Sequence, residues 1–125
     1  MKNFNEMNAE VLMDCIAKLS DPAERIFMDG AVIDALDSYR KQMTPAEGEK
    51  VNVDKAFSLF VKMVMPVLMG AHKADTYDIM GVMRDQTADE VKQSNGGEVM
   101  RDIFVVFALQ RDVEGLFRPG CEVRG

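Results

Sequence analysis

Apolar residues recur along this chain at the three- and four-residue steps of a helix, in short blocks divided by polar breaks. One block departs from that spacing. From Ala56 to Ala71 the sequence AFSLFVKMVMPVLMGA is apolar on nearly every face and is interrupted by Lys62 and Pro66. It is too short and too interrupted to cross a bilayer, and too apolar for one side of a surface helix, so protein must cover it.

The spacing predicts a first helix from Asn8, its cap, to about Leu19, with Val11, Leu12, Cys15, Ile16 and Leu19 on one face. Ser20 and Asp21 should stop it. Asp21 as N-cap, Pro22 at the first helical position and Glu24 at the third then open a second helix. That helix turns Ile26, Phe27, Ile33, Leu36 and Tyr39 inward and fades near Gln42, with a bend or a break at Gly30. Met43 to Asn52 is polar, lacks periodicity and reads as the most mobile internal loop. Asn52 or Asp54 opens the apolar helix, which ends near Met69 to Gly70. Pro66 implies a kink in it, or an end at Met65 followed by a separate turn.

Gly70 to Ala74 should make a short connection before Asp75 caps a helix carrying Tyr77, Ile79, Met80, Val82 and Met83. Thr87 with Glu90 is a capping-box pattern opening a short helix of Val91 to about Ser94, which Asn95, Gly96 and Gly97 end. The last element runs from Glu98 to Phe117. Its stretch Ile103 to Leu109 also matches a buried strand, but its length and the lack of a partner strand favour helix. The expected architecture is all-α, one domain over residues 1–118 built as a compact bundle of five to seven short helices, with 119–125 as a flexible tail.

Composition changes this picture in two ways. With 125 residues and a net charge of −6, the chain has room for one modest core and lacks the surplus of Lys and Arg that a grip on nucleic acid or anionic lipid requires. Eleven methionines and no tryptophan make a skewed apolar set. Methionine serves as core filler or as an adaptable partner surface, and both readings stand at this point. The start MKNFNEMNAE has no apolar core of signal-peptide length, and Cys15 and Cys121 read as reduced thiols, so a cytoplasmic protein is expected.

Candidate chemistry is sparse. His72, the single histidine, lies beside Lys73 without a nucleophile-elbow pattern and reads as a solvated loop residue. Two distant cysteines and one histidine give no zinc spacing. The acidic pairs Asp34 with Asp37 and Asp75 with Asp78 read as solvated helix faces. No catalytic, cofactor-binding or metal site is assigned, and the chain reads as a non-enzyme that binds protein.

The order of segments in the second half carries a resemblance. An apolar helix precedes Asp75-Thr76-Tyr77-Asp78-Ile79-Met80-Gly81-Val82-Met83, a polar break, and then Thr87-Ala88-Asp89-Glu90-Val91-Lys92-Gln93. A long helix and the ending Asp112-Val113-Glu114-Gly115-Leu116-Phe117 follow. This resembles the small helical tail assembly chaperones of long-tailed bacteriophages and prophages, over roughly Ala56 to Arg118. The resemblance implies an assembly factor in the bacterial host cytoplasm, absent from the mature virion. It would bind the tape measure protein, help recruit tail tube subunits, and self-associate into a ring or spiral. Family members often end in Phe-Phe where this chain has Leu116-Phe117, and the N-terminal half offers no matching motif.

Phe57, Phe60, Val64 and Leu68 share one face of the apolar helix and form the expected core side. Leu59, Met63 and Val67 occupy a neighbouring face, which the monomer either buries or leaves for a partner. With Leu116 and Phe117 they are the expected protein-interaction residues. The rival reading is a small helical adaptor or regulator, also phage or prophage encoded, that binds one defined partner.

Overall fold

The computed structural model describes residues 1–44, 48, 50 and 52–118. The expected loop after Met43 lies largely outside the described residues, as do Cys121 and the tail 119–125. The chain is all-α, as its periodicity predicts. A 3₁₀ turn at Phe4–Glu6 leads into α1 (Ala9–Phe27), α2 (Gly30–Met43), α3 (Val53–Met63), α4 (Met65–Ala71), α5 (Lys73–Arg84), α6 (Ala88–Gln93) and α7 (Gly96–Phe104). A π-helical segment, Val105–Gln110, continues α7 and is followed by α8 (Asp112–Phe117). α3 and α4 abut at Val64, which ends one and begins the other.

Side-chain caps place several starts where the sequence puts them. The Asn8 side chain accepts from the Val11 amide, Asn52 from Lys55, and Thr87 and Glu90 close a reciprocal capping box. Asp29 accepts from Ala31, so the break near Gly30 falls at Met28 and Asp29.

Elsewhere the chain departs from expectation. The first helix does not stop at Ser20: α1 runs unbroken through Pro22 to Phe27. Pro22 lacks the amide that would bond the Lys18 carbonyl, yet Cys15, Leu19, Pro22, Ala23, Ile26 and Phe27 make one continuous buried stripe. Burial of that stripe outweighs the missing bond. The connection expected at Gly70 to Ala74 shrinks to His72, and Asp75 lies in the first turn of α5 instead of capping it. Gly96 and Gly97 do not end α6. They begin α7, because the Asn95 side chain accepts from the Glu98 amide and caps the new helix.

The last element is not one helix. The Arg111 amide donates to the Val106 carbonyl at 3.3 Å, a five-residue step that widens the coil, and Arg111 itself turns left-handed at φ 57°. α8 then reverses onto α1 and the π segment.

One apolar core joins all eight helices. α1 packs chiefly on α5 and α8, while α3 packs on α2, α4 and α7. Phe60 is fully buried between Tyr39 and Phe104, with ring centroids 5.7 and 5.5 Å away in edge-on arrangements. The Tyr39 hydroxyl donates to the Ala56 carbonyl at 3.2 Å, which satisfies its one buried polar atom. Of the predicted core face, Phe60, Val64 and Leu68 are fully buried and Phe57 is half-buried. Val32 is a core residue outside the expected set.

Candidate protein-binding surface

The break at Val64 borders the candidate site. Pro66 sits in the first turn of α4, where a helix has no use for its missing amide, so the helix restarts cleanly after Val64. The restart brings Met65 and Met69 of α4 beside Tyr77 of α5 and Val91 of α6. Val99, Met100 and Ile103 of α7 complete a trough of about 230 Å³. Gly96, at the start of α7, contributes no side chain, and a Cβ there would meet nothing within 4 Å.

A second hollow of about 490 Å³, bordered by Lys73, Ala74, Tyr77 and Lys92, shares Tyr77 and Lys92 with the trough. The Lys92 ammonium lies 5.6 Å from the Tyr77 ring centroid, held over its negative face. The two hollows form one groove, apolar and methionine-lined at one end and lysine-bordered at the other.

None of the sequence-predicted interaction residues lines this groove. Leu59, Met63 and Val67 are half-buried and packed against the core. Leu116 is 51% exposed, whereas Phe117 is half-buried against the core. The main neighbours of α8 are α1 and the π segment, so Leu116 and Phe117 belong to a different packing neighbourhood from α3 and α4. Met65, Met69 and Met100 went unselected because they meet only where α4 and α7, distant in sequence, border one trough. Methionines four residues apart, flanking Pro66, were the available signal.

Two polar clusters tie the fold together. His72 is not a solvated loop residue. Its ring lies 12% exposed, with Nε2 2.7 Å from Asp29 and Nδ1 3.4 Å from Asp75, and Arg25 donates to Asp75 at 2.8 Å. The hydrogen bond from His72, followed by that from the Ala31 amide, holds the Asp29 carboxyl below its usual range.

The other cluster surrounds Glu114, whose side chain is 1% exposed. Arg40 reaches it at 2.7 Å, Arg118 at 2.9 Å and Arg111 at 3.2 Å. Arg40 also donates to the Phe107 carbonyl at 3.1 Å. Arg118 grips Asp37 through both of its terminal nitrogens, at 3.0 and 2.8 Å. Burial pushes the Glu114 carboxyl upward, but the bonds and charges of Arg40, with those of Arg118 and Arg111, outweigh it and leave the group below its usual range. Asp37 is lowered by its bond to Arg118. Asp37 and Asp75 are therefore bonded groups, not the solvated acids their spacing suggests. Every member of both clusters is engaged by another, which is the pattern of structural ion pairs.

No family model, curated protein or solved structure matches this chain. Among the described residues no helix is long and apolar enough to cross a membrane.

Proposed function

We propose that this chain is a non-enzymatic tail assembly chaperone of a long-tailed phage or prophage, which binds the tape measure protein and helps recruit tail tube subunits in the host cytoplasm. The observation that carries protein binding is the groove: methionines from α4 and α7 meet at an accessible trough on an acidic, all-helical chain. Methionine repacks against varied apolar partners without a fixed hydrogen-bond pattern, which suits a protein that shields a long helical client. A net charge of −6 would keep the resulting complex from associating further. The choice of client rests on the resemblance over Ala56 to Arg118. In this reading Leu59, Met63, Val67, Leu116 and Phe117 contribute to client contact or to a ring- or spiral-forming contact between copies.

Co-expression with the tape measure protein encoded beside it, followed by pull-down and light scattering, tests the proposal. The wild-type chain should hold that protein in solution. Met63→Asp and Phe117→Asp should lower the recovered complex by about tenfold, given that apolar anchors dominate such interfaces. Two folded variants that recover wild-type amounts of complex and self-associate normally would remove these residues from the surface. A wild-type chain that leaves the tape measure protein insoluble would end the chaperone reading.

A further inference from the structure

We propose that the groove between α4, α5, α6 and α7 takes an amphipathic α-helix of a partner protein, with its apolar face on Met65, Met69 and Met100 and its acidic residues at Lys73 and Lys92. This rests on the protein-binding reading and adds the chemistry of the segment bound.

The form of the partner follows from what the groove offers. Strand addition needs an exposed sheet edge, and the described residues contain no strand. Proline-rich segments dock between aromatic rings, and among the described residues Tyr77 is the single aromatic on the lining. Phosphorylated and densely acidic motifs are held by arginine clusters, but among the described residues no arginine borders either hollow. A trough between helices, floored by flexible apolar side chains, fits the remaining mode, in which a helix lays down anchors three and four residues apart.

Charge gives the partner its polarity. The chain as a whole carries −6, yet the charged side chains bordering the groove are Lys73 and Lys92, both exposed. The charge on its border is thus opposite in sign to the molecule's net charge. It attracts a segment with Asp or Glu beside its apolar anchors and disfavours a basic one. Lys92 pairs at 3.7 Å with Asp89, whose side chain is 92% exposed, an arrangement in water that a better-placed carboxylate can replace.

The test uses the full chain and three fluorescein-labelled peptides of about four helical turns. One carries Leu anchors with two Glu at one end, the second has Lys in place of those Glu, and the third scrambles the first. By fluorescence anisotropy at low salt, the acidic helix should bind about tenfold tighter than either of the others. The double variant Lys73→Glu/Lys92→Glu changes exposed positions, so it should keep the wild-type melting curve while reversing the preference toward the basic helix. Met69→Asp should weaken the acidic helix by about tenfold. Equal binding of acidic and basic helices, a preference unchanged by the double charge reversal, or no measurable peptide binding would each overturn the proposal. Retention of the tape measure protein in solution under any of those outcomes would leave the chaperone reading standing on another surface.

Discussion

Among the described residues, Glu114 is the one on which the most ion pairs converge. It is buried and meets three guanidinium groups, two from its own end of the chain and Arg40 from α2. A buried carboxylate is tolerated only when its lone pairs are filled, and removing one partner leaves the others desolvated without compensation. Glu114→Gln keeps the shape and deletes the charge. It should cost about 3 kcal/mol, seen as a lower urea midpoint at pH 7. An unchanged midpoint would mean that the three arginines find solvent or other acceptors at no cost. His72 illustrates the same point differently, since its neighbours in sequence suggest an open loop. Asp29, 43 residues away, supplies the 2.7 Å partner that draws it in.

At the level of elements, legibility tracked how local the deciding interaction is. The starts of α1, α3 and α6 were readable because each rests on a side chain bonding an amide three residues on. The continuation of α1 through Pro22 was hidden, because the compensation comes from α5 and α8 packing on its stripe. The break before α8 was hidden for the same reason. The run Ile103 to Leu109 reads as uninterrupted, and only Arg40, bonding the Phe107 carbonyl and Glu114 together, shows why the coil widens and folds back. The face with Phe60, Val64 and Leu68 was legible, and so was an interruption near Pro66, but the groove was not, since it needs residues of α5, α6 and α7 brought beside α4.

The dependence of α8 on charge makes its stability sensitive to acid. Glu114 and Asp37 have folded-state carboxyls below their ordinary values of 4.5 and 3.8, so the native state holds them ionised more readily than the unfolded chain does. Their contribution is fully present above those ordinary values and is lost as pH falls through the lower folded ones. Stability should therefore fall below about pH 4, with α8 loosening before α5, whose Ile79, Met80 and Met83 lie in the apolar core. Hydrogen exchange, corrected for the intrinsic pH dependence, should show protection at Val113 to Phe117 lost at a higher pH than at Ile79 to Met83. Glu114→Gln should flatten that difference. Simultaneous loss of protection in both segments would show that α8 is not a separable unit.

At the scale of the whole molecule, the methionines are distributed in a way that a core-filler role does not exhaust. Met65, Met80 and Met83 are buried, five others are half-buried, and Met1, Met13 and Met28 are exposed. Met65, Met69 and Met100 meet in the groove, although two come from one helix and the third lies 31 residues further on. Their substitution by leucine separates packing from adaptability. Leucine matches methionine closely in volume, so the triple variant Met65→Leu/Met69→Leu/Met100→Leu should retain its fold, each change costing less than about 1.5 kcal/mol. Leucine also has fewer rotatable bonds and a branched end, and it fills one shape well instead of several adequately. Against acidic helices anchored in turn by Leu, Ile, Phe and Met, the wild-type chain should bind all four within a narrow span of affinity. The leucine variant should widen that span severalfold, losing most toward the anchors whose shape differs from its own. A folded variant with an unchanged span would locate the tolerance of this surface in backbone motion of α4 and α7 and not in its methionine side chains.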